Sequence, residues 1–251
     1  MRLDAALVAR GLARSRGQAS DLITAGKVQV NGQPARKASA PVTEADRIDA
    51  ETDPWVSRAA HKLLGALDAC GTTVTGRALD AGASTGGFTQ VLLDRGCAPV
   101  YAVDVGHGQL APAVASDPRV IAREGLNVRD LTLADVGGEP VDVIVADLSF
   151  ISLTLLVVPL RAVAREGATA ILLVKPQFEL GRAALDSRGV VADRALAASA
   201  VDLVAQAASE AGWAERWRGP STLAGESGNQ EYVLTLVAIT ESSAGAVRLA
   251  P

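Results

Sequence analysis

Apolar positions along this chain follow two different rhythms. Over the first fifty residues they come in short bursts. Ala5, Ala6, Leu7 and Leu12, then Ala19, Leu22 and Ile23, recur at the spacing of one helix face, which predicts short amphipathic helices over residues 2–10 and 15–25. Ser15 is placed to cap the second helix and Gly26 to stop it. Residues 27–33 then alternate apolar and polar around an Asn31-Gly32 pair, a strong hairpin signal. From residue 58 the rhythm changes to strand-length apolar runs alternating with helical stretches. Strands are predicted over residues 77–82, 98–104, 119–123, 141–146, 168–175 and 231–239, and helices over 59–71, 86–95, 151–166 and 193–212. That alternation predicts an α/β fold, a doubly wound and mostly parallel sheet. Between the two rhythms, residues 44–54 are polar and acidic and close on Pro54, which suits a short strand followed by a linker. The expected organisation is a small α+β domain over 1–50, a linker over 51–57, an α/β domain over 58–240 and a frayed Ser/Ala/Gly-rich tail over 241–251.

Composition narrows this picture in three ways. Aromatics are only 3% of the 251 residues while 49% are hydrophobic, so the core must be built from Ala, Leu and Val. Cys70 and Cys97 sit in apolar contexts without metal-ligand spacing and read as small buried hydrophobes in a reducing cytosol; no metal is expected. The N-terminal residues carry no signal-peptide core, and the longest apolar stretch, 148–160, is broken by Ser149, Ser152, Thr154 and Pro159 and falls short of the roughly 20 residues of a membrane span. A soluble cytoplasmic monomer is the expectation. Charge adds an asymmetry. The chain as a whole carries −4, yet residues 1–40 hold Arg2, Arg10, Arg14, Arg16, Lys27, Arg36 and Lys37 against only Asp4 and Asp21. This fits a polyanion-binding module or a solvated basic face, and charge alone does not separate the two.

Two features carry chemistry. The run Asp80-Ala-Gly82-Ala-Ser84-Thr85-Gly86-Gly87-Phe88 joins a predicted strand to a helix start, where glycines let backbone approach a ligand and free N–H groups face it. Its spacing departs from Gly-x-Gly-x-x-Gly, and no Walker lysine follows, so dinucleotide and triphosphate sites fit poorly. Asp104 ends the next strand, roughly 20 residues on, where a carboxylate can accept both hydroxyls of a ribose. A tight turn without a ligand is the bland alternative. The second feature is four charged residues far apart in sequence: Lys62 in a helix, Asp147 and Lys175 at the ends of apolar strands, and Glu231 at the start of another. Charges at the ends of buried strands are costly unless they pair or face a cleft. Taken singly, each reads as an ordinary strand-end ion pair.

The first fifty residues, with Arg2-Leu-Asp4, Arg14-Ser-Arg16, Ala19, Ile23, Gly26, Val28, Val30, Asn31 and Gly32, resemble the S4 RNA-binding domain. That likeness implies RNA contacts at Arg2, Arg14, Arg16 and Lys27. The glycine turn and Asp104 resemble the cofactor site of class I S-adenosylmethionine-dependent methyltransferases, whose fold is Rossmann-like. This implies S-adenosylmethionine as cofactor, held by Asp80, Gly82, Ser84, Thr85, Gly86, Gly87, Phe88, Asp104, Asn127, Val128 and Asp147. Lys62, Asp147, Lys175 and Glu231 appear in the order of the Lys-Asp-Lys-Glu tetrad of FtsJ-like 2′-O-ribose methyltransferases. With Asp147-Leu-Ser-Phe-Ile-Ser152 and Val174-Lys-Pro-Gln-Phe-Glu179, and an S4-like module in front, the chain resembles the TlyA family of ribosomal RNA 2′-O-methyltransferases, some of them also called haemolysins. The linker departs from that family's Arg-Ala-Trp-Val, reading Asp53-Pro-Trp-Val56.

The resemblance implies methylation of a ribose in ribosomal RNA, cytidine by family likeness. A ribose 2′-hydroxyl must lose its proton as it attacks a methyl. A lysine accepts that proton only when desolvation or a second cation has drawn its pKa toward neutrality. Lys175 is the candidate base and Lys62 the neighbouring cation, with Asp147 and Glu231 orienting both. Arg182 and Arg188, in a long loop after the Lys175 motif, are further RNA-contact candidates on a lid or are solvated loop arginines. Phe150 and Phe178 stack on a flipped-out base or pack in the core. His61 reads as structural, while His107, beside Asp104, is within reach of the cofactor but is not assigned to it. Competing functions are a membrane-active cytolysin and an RNA-binding protein without catalysis.

Overall fold

The computed structural model describes residues 1–13, 15–51, 53–225 and 227–239, in two compact units, Met1–Pro54 and a second beginning at Trp55. Arg14 and the predicted tail over 241–251 lie outside the described residues.

In the first unit the helical bursts become α1 (Leu3–Ala9) and α2 (Arg16–Thr24). Ser15 caps α2, its side chain accepting from the Gln18 N–H, and Gly26 sits at φ +73° just beyond it. The alternating segment forms β1 (Val28–Val30) and β2 (Gln33–Pro34), joined through Asn31 and Gly32 at φ +52° and +76° as the Asn-Gly pair predicts. A third strand, β3 (Ile48–Ala50), pairs antiparallel with the other side of β1. Leu3, Ala6, Leu7, Ala19, Ile23, Val28 and Val42 make the core between helices and sheet.

The second unit opens with α3 (Ala59–Cys70), β4 (Gly76–Ala81), α4 (Gly87–Asp94), β5 (Cys97–Asp104), a single turn α5 (Pro112–Ala115), β6 (Val120–Glu124) and β7 (Val141–Ala146). It continues through α6 (Val157–Val163), β8 (Ala164–Val174), a short α7 (Pro176–Glu179), α8 (Arg194–Glu210), β9 (Trp213–Pro220) and β10 (Tyr232–Ala238). The seven strands lie in the order β6-β5-β4-β7-β8-β10-β9. The five from β6 to β8 are parallel, β10 runs antiparallel to β8, and β9 antiparallel to β10. The core on one face packs Ile144, Leu156, Leu160, Val204 and Trp213, and on the other Leu63, Val91, Leu92, Val145 and Leu173. As the composition requires, these are mostly aliphatic.

Two expectations fail. The helix predicted over 151–166 shrinks to α6, preceded by a 3-10 turn at Leu153–Leu155 that Ser152 caps, and β8 begins at Ala164. Buried Leu153, Leu156, Leu160 and Val163 share one face while Leu155 and Val158 are exposed, so the spacing reports the face but not the ends: Ser152 caps a separate 3-10 turn, and the pairing of Ala164 with Val141 starts β8. The second failure is β9, a strand with no sequence warning. Three of the five residues in its Ala214-Glu-Arg-Trp-Arg218 stretch are charged because it is a sheet edge, and its pairing with β10 defines it.

Candidate active site

Topology gathers the four charged residues. The parallel strands β7 and β8 end side by side, so Asp147 and Lys175 emerge at the same edge of the sheet. Because β10 is antiparallel to β8, with Tyr232 opposite Val174, its first end arrives there too and brings Glu231 beside Lys175. Lys62 enters from α3. The side chains form one chain of ion pairs. Lys175 Nζ lies 2.7 Å from Asp147 Oδ1, Lys62 Nζ 3.8 Å from Asp147 Oδ2, and Lys62 Nζ 2.6 Å from Glu231 Oε2. Lys175 also donates to Ser149 Oγ at 2.9 Å. Lys62, Lys175 and Glu231 are only 6%, 8% and 2% exposed. At that depth any one of them left without its partner would be strongly destabilising, so the four stand or fall as a set.

They line a cavity of about 680 Å³ together with Gly82, Ser84, Thr85, Gly87 and Phe88 of the glycine turn. That volume is within the range of small-molecule sites. Gly82 has φ +85°, and a Cβ on it would stand 2.9 Å from the Asp147 carbonyl oxygen; Gly86, at φ +91°, is as tightly faced by Val114 and Leu110. Only glycine fits either place, and the result is bare backbone beside the ion-pair chain. Asp80 lies beneath the turn, fully buried, and accepts a hydrogen bond from Thr89 Oγ1 at 2.6 Å, tying β4 to α4. Its second oxygen has no hydrogen-bond partner among the described residues. Burial pushes the Asp80 carboxyl up to about 7, against the opposing bonds from Thr89 and with a smaller push from the charges of Asp147 and Asp104.

The other candidate cofactor residues stand apart from this cavity wall. Asp104 accepts from the Ser84 N–H at 2.8 Å and the Gly106 N–H at 2.7 Å, so it braces the glycine turn. A carboxylate has further lone pairs for a ribose. Asn127 caps a 3-10 turn by accepting from the Arg129 N–H, and Val128 is buried behind it, while the Leu126 N–H donates to the Asp104 carbonyl. Asp104 and Asn127 are thus neighbours at the ends of β5 and β6. His61 and His107 are exposed and do not line the cavity.

Among the RNA candidates, Arg2 and Arg16 both pair with buried Asp4, at 3.0 and 2.9 Å, with their side chains 51% and 61% exposed. The Arg2 guanidinium, joined by Arg16 and the Ala5 N–H, holds the Asp4 carboxyl well below the usual range. Lys27 and Arg182 are exposed. Arg188 reaches the cavity while paired with Asp186 at 2.9 Å. The loop carrying Arg188 is tied down: buried Asn229 accepts from the Val191 N–H at 2.9 Å and donates to the Gly189 carbonyl at 3.0 Å. Phe150 is 91% exposed, which excludes core packing for it, and its ring lies 5.2 Å from that of Phe178; both line the cavity. The cavity wall also includes Ser57, Arg58, Ser149, Gln177 and Asn229, which the sequence reading did not single out. Ser149, Gln177 and Asn229 neighbour the charged residues in their motifs, and that proximity was the available signal.

The FtsJ-like methyltransferase family profile matches residues 55–237, and the S4 domain profile matches residues 1–48. The 16S/23S rRNA (cytidine-2'-O)-methyltransferase TlyA of Mycobacterium tuberculosis is 51% identical over 98% of this chain and 92% of its own length. The chain belongs to the TlyA family of FtsJ-like methyltransferases. Hemolysin A of Brachyspira hyodysenteriae is 36% identical over 93% of this chain and 98% of that protein. A solved structure of a hemolysin-named protein from Streptococcus thermophilus superposes with a TM-score of 0.74 at 32% identity, over 95% of this chain and 88% of that one. The two matches fall on the two units of this TlyA-family chain, the S4 match within Met1–Pro54 and the methyltransferase match beginning at Trp55. Among its described residues no helix is long and apolar enough to cross a membrane.

Proposed function

We propose that this chain transfers a methyl group from S-adenosylmethionine to the 2′-hydroxyl of a cytidine ribose in ribosomal RNA, working as a monomer in the cytoplasm. One observation carries the reading: a buried Lys-Asp-Lys-Glu chain shares a cavity with the bare backbone of a glycine turn. The residues suit the cofactor. Gly82 and Gly86 let the turn close against Asp147, Leu148, Leu110 and Val114, which leaves Gly82, Ser84, Thr85 and Gly87 lining the cavity; Asp104 and Asn127 offer acceptors for a nucleoside, and Asp80 supports the turn from below. When bound, the cofactor supplies an electrophilic methyl, so the protein's own work is alignment and proton removal.

Lys175 is the base. Its amine takes the 2′-hydroxyl proton as the oxygen attacks. Asp147, 2.7 Å away, aims that amine and balances the charge it acquires. Lys62 holds Asp147 and Glu231 together and offers a cation to the negative charge developing on the ribose oxygen. Phe150 stacks on the base of the target nucleotide, with Phe178 behind it. Arg188 meets the backbone at the cavity mouth and Arg182 farther out, while Arg2, Arg14, Arg16 and Lys27 of the first unit dock on rRNA phosphates. Lys175→Ala tests the assignment. With purified ribosomal subunits and labelled cofactor, transfer should fall about 100-fold or more while cofactor affinity stays within about threefold. Full activity in that variant removes Lys175 as the base.

A further inference from the structure

The segment after β7 and the segment after β8 run side by side, and a ladder of contacts joins them. Lys175 reaches Asp147 and Ser149, the rings of Phe178 and Phe150 meet at 5.2 Å, and Glu179 accepts from Ser152 Oγ at 2.5 Å and from the Leu153 N–H at 2.9 Å. Lys175 and Glu179 therefore hold the two ends of a short span, and Phe150 lies between them. Phe150 has φ +65°, a left-handed conformation that costs an L residue about 1–2 kcal/mol. Its ring is almost wholly exposed, so burial returns none of that cost. The neighbours must impose the conformation, and the anchored neighbours are Ser149 on one side and Ser152 and Leu153 on the other. Glu179 does not itself line the cavity.

We infer that Glu179 is a positioning residue for methyl transfer: by holding Ser152 and Leu153 it locks Phe150 in its strained outward pose beside the charged tetrad, where the ring receives the target base. The inference rests on the function proposed above and deepens it. A purely structural Glu179 would lower stability with no special relation to Phe150. A positioning Glu179 acts through Phe150, and the two must be coupled.

The test is a double-mutant cycle in single-turnover methylation of ribosomal subunits. Glu179→Gln keeps the size of the side chain but puts a donor where an accepting oxygen stood. The rate should fall about tenfold, within what one base–aromatic stack is worth, with cofactor affinity unchanged within about twofold. Phe150→Ala should slow the otherwise unaltered chain to a similar degree and cost nothing further in the Glu179→Gln background. Losses that multiply, or an undiminished rate in Glu179→Gln, overturn the inference. Ser152→Ala removes the same contact from the opposite side and serves if Glu179→Gln does not fold. Amide exchange gives a readout independent of activity. Glu179→Ala should speed exchange across residues 148–155 and leave β4 unchanged, and unaltered exchange across 148–155 also overturns it. A chain that methylates no ribosomal RNA, yet shows the expected exchange, would sink the proposed function and leave the clamp standing.

Discussion

Each unit of this molecule contains a carboxylate held between two cations, and the two clusters differ in instructive ways. In the first, Asp4 is buried while Arg2 and Arg16 remain more than half exposed. In the second, Asp147 lies between Lys62 and Lys175, and both cations are buried against a cavity. Arginine stays protonated under all ordinary conditions, whereas a lysine amine can lose its proton when its surroundings favour the neutral form. The Asp4 cluster can therefore hold helix starts together and face an anion, but it cannot move a proton. Pairing is common to both; burial and cation identity separate a brace from a candidate for acid–base chemistry.

The sharpest way to break that comparison is to exchange the cations. Lys175→Arg preserves the positive charge beside Asp147 but removes an amine that can take a proton. Transfer should fall about 100-fold or more, while Arg16→Lys should leave the single-turnover rate within about threefold. Comparable losses in the two variants would mean that cation identity matters at both sites and that the contrast between them fails. A second effect concerns stability. Lys62→Met strands Glu231 without its cation, and urea unfolding should show a loss of about 3 kcal/mol or more. No measurable loss would mean that the pair with Lys62 does not hold Glu231 in the fold. A third effect depends on pH and lies at Asp80. Its folded pKa is raised, so the folded state binds the proton more tightly than the unfolded one. Stability from this group is complete below about pH 4 and is lost as pH rises through about 7. Asp80→Asn should flatten the stability profile across that window, and an unchanged profile would show that Asp80 is not the group responsible.

Much of this was legible in the chain. The Asn31-Gly32 hairpin, the Ser15 cap, the glycine turn and the apolar strands ending in Asp147 and Lys175 are local signals, each set by a few neighbouring residues. The failures share a cause. Ala164 starts a strand inside the predicted helix because Val141 of β7 pairs with it, and β9 is a strand because β10 offers it an edge. The Phe150 pose and the Asn229 tie to the Arg188 loop join segments distant in sequence, and no local pattern reports them.

The sequence by itself determined that there would be a small basic module, an α/β sheet, a glycine turn and four charged residues of matching types, because backbone preference and side-chain chemistry are local properties. Only the tertiary structure decided that the four charges meet. Their encounter depends on β10 running against β8, on α3 delivering Lys62 to the same edge, and on glycines that let the turn close on Asp147. Long-range packing creates those distances, and with them sets two buried lysine amines beside one carboxylate at the cavity wall.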